Sequence, residues 1–524
     1  MRTMGSTSIA QRKIKQYIHG LYIVLMFYIL FSLVIVSENV DYPCKREFIW
    51  PMWAILIIAG ILTAGMVLLL YFKRNLKIHI PRIGREQAPK IVLFGCVLFA
   101  LVQIYISFNY YFLTDWDVDL IYQSAREIVN GTFSTSERYG EFCWYYSTYP
   151  NNMELLGVFV ACLKVNQYFG VLDPQNGVMV FIVLNSIIVA IAGYLLYNIL
   201  TSNTSWRWGM LGWTIFIAYI GTSPWVVIPY SDSLGLLFPI AELWIYTQLK
   251  KKTKKWPFLI LLGFVGGIGY RLKPQVAIIL IAIIILFILE ILCNSQDRMS
   301  KSLSLGVLLL AFLLAGFLPK TIEVGLNIPI DENRQFGTTH FVMMGMNPST
   351  EGIYSQEDCD YSHSFGDTTS RRQGEIEVIK ERLSEYGING YLNLLNKKML
   401  TTYGDGSFAW GLEGSFWKEI IPLKNSGISK VTRDIYYNSG PLYTTFLTYM
   451  QIFWVGILCL QVFANKGGHD DTISTVELSI IGLTIFELLF ESRARYLYTY
   501  APLYILMAVY GLQNLRNKVA IRKY

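Results

Sequence analysis

Acidic residues occupy two short segments that adjoin apolar runs. Asp115, Asp117 and Asp119 stand at alternate positions just after one apolar run, and Asp232 precedes another. A carboxylate at a membrane surface can act as a general base that takes a proton from an acceptor hydroxyl. Partial burial and neighbouring carboxylates raise the pKa of such a base. The three alternating aspartates are therefore candidates for a catalytic base, with helix capping as the simpler interpretation.

Basic residues cluster at two further short turns. Arg271 and Lys273 lie between two apolar runs, and Arg493 and Arg495 precede the last apolar run. Arginine donates paired hydrogen bonds to phosphate oxygens, and lysine supplies a compact positive charge. All four residues are therefore candidate ligands for the phosphate of a lipid-linked donor. The alternative is that their side chains reach toward phospholipid head groups, which requires no bound substrate.

The two sets of residues suit the transfer of a sugar from a polyprenyl phosphate. The departing phosphate carries its negative charge well, so the reaction needs no general acid of the kind that glycoside hydrolases use. One aspartate and a cationic clamp suffice for direct displacement with inversion at the anomeric carbon. No cofactor is certain, but a divalent metal ion could supply part of the positive charge. Asp232, His340 and Tyr149 are candidate contacts for the acceptor or that metal, although a lone histidine is more often structural.

The elements that must position these residues are membrane helices. Of the 524 residues, 53% are hydrophobic and 15% are charged. Apolar runs of about 17 to 24 residues recur along the chain, and each can cross about 30 Å of hydrocarbon. The 44 Lys and Arg residues exceed the 37 Asp and Glu residues by only 7, an excess that basic cytoplasmic loops explain. This composition excludes a soluble enzyme and makes nucleic acid an unexpected partner.

The distribution of charge predicts the topology. The positive-inside rule places the basic segments at 73–90 and 250–255 in the cytoplasm, and the acidic segment at 113–119 then lies outside. Four apolar runs lie between the acidic segment at 113–119 and the basic segment at 250–255. Passage from outside to inside, however, requires an odd number of crossings. The weakest run, 153–169, is therefore predicted to lie at the outer interface. The remaining runs predict an all-α polytopic membrane protein with about twelve transmembrane helices and both termini cytoplasmic. The predicted spans are 17–37, 50–72, 91–112, 177–200, 207–223, 233–249, 257–270, 275–293, 303–319, 443–464, 475–490 and 496–514.

This topology divides the chain into four regions. They are a membrane hairpin at 1–90, a transmembrane core at 91–319 with its first outer loop at 113–176, a large extracytoplasmic region at 320–442, and C-terminal helices with a basic tail at 443–524. The third region is large enough for a small mixed α/β domain or for elaborated loops. Two of its segments, around His340 and at 403–410, are candidates for recognising an acceptor, with structural packing as the alternative.

At these residues the chain resembles the GT-C membrane glycosyltransferases, notably the lipid A aminoarabinose transferases, the protein O-mannosyltransferases and their Gram-positive relatives. Those proteins carry an Asp-Glu pair in the first outer loop, followed by Ala/Ser-Arg-Glu. Here Asp117 stands in the Asp place and residues 125–127 read Ala-Arg-Glu, whereas Val118 replaces the Glu of the pair. The match covers roughly 91–320, with a weaker match at 480–514.

The resemblance implies a GT-C-like fold, a polyprenyl-phosphate-linked monosaccharide donor, and an extracytoplasmic acceptor that is a glycan, a lipid or a protein. It also implies that Asp117 is the base, that Asp232 contacts a metal ion or the acceptor, and that Lys273 binds the donor phosphate with an arginine of the 493–495 turn. The lipid A transferases have Glu-Lys before the interfacial proline. Here Tyr149 occupies the second of those places, so a zinc site of that kind is not expected.

A lipid-linked sugar flippase or transporter is the main alternative function, since many spans and an outer anion site could serve translocation. Transport predicts ionisable residues near the bilayer midplane. The predicted spans contain few, with Glu242 and Glu487 as the conspicuous exceptions. A membrane protease is a third class, but no motif pairs a cysteine with a histidine. We therefore expect a plasma-membrane enzyme whose active site faces away from the cytoplasm.

Overall fold

A computed structural model of the chain describes residues 9–72, 84–170, 177–293, 298–412, 414–421, 427–464 and 470–521. Most of the basic segment at 73–90 and the outermost basic residues of both termini lie outside the described residues. The described chain is almost entirely helical, with one short antiparallel ribbon in which β1 (Phe112–Leu113) pairs with β2 (Glu419–Ile420). The predicted all-α fold class is therefore confirmed.

The helices fall into five groups along the chain. The N-terminal group is α1 (Ile9–Phe31), α2 (Ser37–Asn39), α3 (Met52–Phe72) and α4 (Ala88–Ser107). The first outer loop contains α5 (Trp116–Asn130), α6 (Tyr139–Thr148) and α7 (Asn152–Phe169). The central group is α8 (Val178–Asn203), α9 (Trp206–Phe216), α10 (Ser231–Gly235), α11 (Leu237–Lys251), α12 (Trp256–Leu272), α13 (Ile278–Cys293) and α14 (Arg298–Ala315). Helix α15 (Leu318–Leu326) follows α14 and leads into the region at 320–442, here called the large outer region after its predicted location. This region contains α16 (Thr338–Gly345), α17 (Gln356–His363), α18 (Thr368–Tyr403) and α19 (Gly427–Tyr436). The C-terminal group is α20 (Tyr443–Gln461), α21 (Asp471–Leu489) and α22 (Ala501–Ile521).

Eight helical segments of the described chain are long and apolar enough to cross a bilayer. They are Ile9–Asn39, Met52–Leu70, Ala88–Ser107, Val178–Asn203, Pro274–Cys293, Arg298–Leu326, Tyr443–Gln461 and Asp471–Leu489. A further apolar helix, α12, is shorter. These segments confirm a polytopic membrane protein and coincide with nine of the predicted spans.

The other three predicted spans are also helical, in α9, α11 and α22. Helices α9 and α11 have only 11 and 15 residues, whereas α22 has 21 residues, and a helix that is surrounded by protein needs no lipid-facing surface. The middle of α22 is an example, since all hydrophobic side chains from Leu503 to Leu512 are fully buried. Transmembrane passage of these three helices stays a prediction. The same holds for the interfacial position of α7, which packs against α5, α12 and α15.

Close packing in the central group follows from small residues. Helix α12 carries Gly263 and Gly267 four residues apart, and this face contacts α14. A Cβ atom added at Gly267 would lie 2.7 Å from the carbonyl oxygen of Phe312. Glycine pairs with this spacing allow the backbones of membrane helices to approach closely. The short helix α12 is thereby held firmly, which matters because the chain reaches Lys273 directly after it.

One end of the helix bundle carries an ionic network. Lys250 at the end of α11 contacts Glu290 near the end of α13, and it lies 3.0 Å from Asp471 at the start of α21. Asp471 also contacts Lys15 near the start of α1. All four residues border segments that the predicted topology places in the cytoplasm. Their meeting at one end supports the predicted arrangement of the helices relative to one another.

The large outer region is helical in its described residues, instead of the small mixed α/β domain that its length allows. Its one strand, β2, pairs with β1 of the first outer loop, so the two outer segments share a ribbon. Helix α18 bends at Gly387, where φ is +54°. Beyond the bend, Lys398 is buried and its Nζ atom donates to the backbone oxygens of Gly345 and Phe490, each at 2.7 Å. Lys398 therefore ties this region to the turn that precedes α22.

Candidate functional site

The acidic segment enters α5 through an unusual backbone conformation. Helix α5 begins at Trp116, with Asp115 as its N-cap residue. Trp116 has φ of +53°, a region that non-glycine residues seldom occupy and that stores strain. The backbone of Asp115 donates to the carbonyl of Ser415 at 3.3 Å, next to the β1–β2 ribbon. This contact between the two outer segments thus holds the start of α5 in place, directly before Asp117.

The three aspartates, each predicted as a candidate for the base, have different surroundings in the structure. Asp115 and Asp119 are four residues apart at the start of a helix, and both approach the Lys418 ammonium, at 3.5 and 2.8 Å. Arg138 lies 3.9 Å from Asp119. Helix α5 has already begun at Trp116, and lysine and arginine neutralise the charges of Asp115 and Asp119.

Asp117 has surroundings suited to a base. Its Oδ2 atom accepts a hydrogen bond from the Tyr230 hydroxyl at 2.5 Å. Burial raises the pKa of Asp117, while hydrogen bonds from Tyr230 and Tyr145 and the positive charge of Arg495 partly offset that rise. The side chain is not fully buried and retains some accessible surface. A partly desolvated carboxylate that substrate can still reach fits the requirement for general base catalysis.

A second carboxylate and two cations lie beside it. Asp232, on α10, is fully buried and contacts the Lys273 ammonium, and its Oδ2 atom lies 4.0 Å from Nε of Arg495. Burial lowers the pKa of Lys273 to about 8, in spite of the opposing effect of Asp232. The two predicted phosphate ligands Lys273 and Arg495 therefore lie together with Asp232, and all three are at least nine-tenths buried.

Arg495 links the two carboxylates through aromatic rings. Its guanidinium lies 5.6 Å from the ring centre of Trp116, 5.5 Å from that of Tyr230 and 5.5 Å from that of Tyr496. The Lys273 ammonium lies 4.2 Å from the Tyr496 ring. Cations over aromatic faces gain electrostatic stabilisation. These contacts join the outer loop, the α10 turn, the turn after α12 and the turn before α22. They form a single cluster, here called the acid–base cluster, whose members are Asp117, Asp232, Lys273 and Arg495 with the aromatic residues Trp116, Tyr230 and Tyr496.

The remaining predicted phosphate ligands lie outside the centre of this cluster. Arg271 is exposed on the last turn of α12, where its charge acts on Glu154 of α7. Arg493 pairs with Glu491 at 2.9 Å. The charges of Arg493 and Arg495 hold the pKa of Glu491 below its ordinary value although burial would raise it. The predicted four-residue clamp is thus reduced to Lys273 and Arg495 at the centre, with Arg493 at the edge.

His340, predicted as a contact for the acceptor or a metal ion, lies in the interior of the large outer region. The side chain is fully buried, and its Nδ1 atom lies 2.7 Å from the Ser362 hydroxyl. Its ring stacks on Phe336 with 3.7 Å between ring centres. Burial lowers the pKa of His340 to about 4. The neutral histidine packs between an aromatic ring and a hydroxyl, which is the structural role that the sequence left open.

Tyr149 lies nearer to the acid–base cluster. Burial raises its pKa, and the neighbouring Cys359 thiol and the Asp117 carboxylate add to that rise. Its ring contacts those of Tyr145 and Phe336, with 5.4 and 5.5 Å between ring centres. Tyr149 can therefore border a bound acceptor. The described residues contain no group of three or more histidine, cysteine, aspartate or glutamate side chains able to hold a metal ion.

Other candidates for acceptor contacts are buried. Tyr403 and Trp410 are fully buried, and Asp405 pairs with Arg46 at 2.8 Å. The Trp410 indole donates to the backbone oxygen of Tyr436 at 2.8 Å. The 403–410 segment is therefore packing in the interior, and it offers no aromatic face to a sugar.

Three functional candidates were missed from the sequence. Tyr230 touches Asp117, Trp116 supports Arg495, and Lys418 neutralises Asp119. Tyr230 had a weak signal, because it precedes Asp232 by two residues in the same outer turn. The roles of Trp116 and Lys418 depend on the backbone conformation and on pairing across about 300 residues, which no local pattern shows.

Comparison with known proteins yields one family. No curated protein matches the chain. A family model for conserved hypothetical integral membrane proteins matches residues 10–515, which include every residue of the acid–base cluster. The chain therefore belongs to the family of conserved hypothetical integral membrane proteins.

Proposed function

We propose that this protein is a GT-C-type membrane glycosyltransferase that moves a monosaccharide from a polyprenyl-phosphate donor to an extracytoplasmic glycan, lipid or protein. The observation that carries the proposal is the acid–base cluster. In it, a partly accessible carboxylate, Asp117, lies beside two buried cations, Lys273 and Arg495. The proposed location is the plasma membrane, with the cluster on the face opposite the basic loops. This arrangement meets the two needs of the reaction, which are a base and positive charge for the leaving group.

In the proposed step, the acceptor hydroxyl oxygen attacks the anomeric carbon of the donor sugar. Asp117 takes the hydroxyl proton as the new carbon–oxygen bond forms. The bond from the anomeric carbon to the phosphate oxygen breaks, and its electron pair leaves with the polyprenyl phosphate. Attack from the side opposite the phosphate inverts the anomeric configuration. Asp117 afterwards releases the proton to water, which restores the carboxylate.

The cations would stabilise the departing phosphate. Lys273 and Arg495 both face Asp232, so a phosphate would share or replace an existing carboxylate partner. Such prepositioned charges need little reorganisation during the reaction, which is the basis of electrostatic catalysis. Arg495 lies between the base and Asp232 and would approach the phosphate from the side of the reacting carbon.

A lipid-linked sugar flippase is the second candidate function, and one observation favours it. Glu242 is fully buried within the helix bundle, and neither of its carboxylate oxygens has a hydrogen-bond partner. Ionisable residues at such depth often mark transport paths. Glu487, by contrast, accepts a hydrogen bond from the backbone of Arg493 at 3.2 Å, so it serves the turn at the cluster. A single isolated glutamate supports a path less well than the cluster supports transfer.

The proposal can be tested with purified protein in lipid nanodiscs and a panel of labelled polyprenyl-phosphate sugars. Asp117→Asn is expected to lower the transfer rate by about 100-fold or more, as for loss of a general base. Asp115→Asn is the matched control, because Asp115 is half-exposed and makes no side-chain capping bond. Unchanged transfer by Asp117→Asn would remove it from the mechanism. Movement of the lipid-linked sugar across proteoliposomes without a transfer product would favour the flippase.

A further inference from the structure

A cavity of about 320 Å³ lies in the large outer region, between the first turns of α16 and α18. It is at the lower end of the size range of small-molecule sites. The side chains that define its chemistry are Gln335, Thr338, Thr368, Arg371, Arg372 and Glu375. Hydroxyl, amide and charged groups therefore line it, which suits a ligand rich in hydroxyl groups.

Two arginines form the positive side of the cavity. Arg371 is 3% exposed, and its terminal nitrogens donate to the backbone oxygens of Gln335 and Asn333, so it contributes its charge to the cavity wall. Arg372 is exposed beside it. Helix α16 begins after Gly337, which has no side chain to cap the first backbone N–H groups. Such a helix start attracts negative charge.

The negative side is already satisfied. Glu375 is buried, accepts a hydrogen bond from the Thr339 hydroxyl, and accepts another from Ser362 at 2.8 Å. With its oxygens engaged by hydroxyl groups, Glu375 offers a ligand less than the two arginines do. The balance of available groups favours a ligand that carries negative charge.

The cavity lining is connected along the chain to residues near Asp117. Gln335 of the cavity is followed by Phe336, whose ring contacts that of Tyr149 at 5.5 Å between centres. The Asp117 carboxylate lies near enough to Tyr149 to contribute to its raised pKa, after burial and Cys359. The rings of Phe336 and Tyr149 thus lie between the cavity lining and Asp117.

We propose that this cavity binds an anionic sugar unit of the acceptor, a saccharide that bears a phosphate or a carboxylate. The role of this ligand as acceptor rests on the proposed transferase function, whereas the binding site and the chemistry of its ligand do not. The acceptor would then be a charged surface polymer, held at one unit in the cavity while another unit presents its hydroxyl to Asp117.

The test measures binding to the full-length protein in nanodiscs by saturation-transfer NMR titration. Glucose 6-phosphate and glucuronate are the anionic probes, and glucose and inorganic phosphate each carry one of the two features. We expect at least one anionic sugar to bind about tenfold more tightly than glucose and than phosphate, since hydrogen bonds to charged groups are the stronger ones. The comparison of the two anionic probes shows whether phosphate or carboxylate is preferred.

Arg372→Gln should weaken binding of the preferred probe by about tenfold. Lys380→Gln, which removes the same charge from an exposed position on the same helix outside the cavity lining, should leave binding unchanged. Equal binding of glucose and the anionic sugars, or equal effects of the two variants, would overturn the proposal. Asp117→Asn should retain binding. Binding without transfer from any donor would refute the transferase function and leave the cavity assignment standing.

Discussion

Replacement of Asp232 by asparagine should destabilise the protein strongly in acid and hardly at all in alkali. The wild-type carboxylate is fully buried against Lys273, with Arg495 also near it. The asparagine side chain is similar in size, so the change removes charge without opening a cavity. Two buried cations then lose their shared counter-charge, and removal of one partner from such a pair is costly.

The size of the effect follows from the titration of Lys273. Burial lowers its pKa from 10.5 to about 8, so the buried ammonium already opposes folding by about 3 kcal/mol, at about 1.4 kcal/mol for each pH unit. Between about pH 8 and 10.5 the unfolded chain binds more protons, and wild-type stability therefore rises with pH in that window. Without Asp232 the amine loses its proton at lower pH. In the variant at pH 6, folding with a neutral Lys273 amine costs about 6 kcal/mol relative to the protonated amine of the unfolded chain. Compared with the cost of about 3 kcal/mol in the wild type, the variant is therefore less stable by about 3 kcal/mol. At pH 9 Lys273 is neutral in both proteins, and the difference falls toward zero.

The assay is unfolding of the detergent-solubilised protein by dodecyl sulfate, followed by tryptophan fluorescence at pH 6 and pH 9. The control is the double variant Asp232→Asn with Lys273→Met, which removes the ammonium together with its partner. It should recover much of the stability that Asp232→Asn loses at pH 6. An equal loss at both pH values, or no recovery in the double variant, would refute the reasoning.

Three further predictions concern the same region. Lys273→Arg should move the alkaline limit of the transfer rate from near pH 8 to above about pH 10, because a guanidinium stays charged. A pH–rate profile unchanged from that of the wild type would contradict this. Tyr230→Phe removes a hydrogen bond that favours ionised Asp117, so the acidic limit of the profile should rise by about one pH unit, and a downward movement would show that the bond does not act in that way. Lys398→Met leaves two backbone oxygens without their donor and should lower the free energy of unfolding by about 1 to 3 kcal/mol. Lys397→Met should cost less than about 1 kcal/mol, and equal losses in the two unfolding curves would argue against the described role of Lys398.

The membrane helices were predictable because apolar runs and basic loops are local properties of the sequence. Lys250 and Lys273, which the predicted topology places on opposite sides of the membrane, join different ionic groups. Residue type, predicted side and the resemblance to a known family all point to Asp117, Lys273 and Arg495. Their gathering into one cluster follows from short turns that all end at the same level of the bundle.

The finer geometry depended on contacts that local patterns do not encode. Asp119 was indistinguishable from Asp117 until the β1–β2 ribbon brought Lys418 beside it. Trp116 adopts a strained backbone conformation that its own sequence does not favour. His340 looked polar and accessible in the sequence, but packing against Phe336 makes it an interior residue. In each case a partner far away in the chain decided the outcome.

The central claim is that Asp117 activates the acceptor in a displacement that inverts the sugar. Its most direct test is single-turnover transfer from a polyprenyl-phosphate sugar of known anomeric configuration, with NMR assignment of the product from the wild type and from Asp117→Asn. We predict a product of opposite configuration from the wild type and almost none from the variant. A product with retained configuration, or equal transfer by both proteins, would contradict the claim.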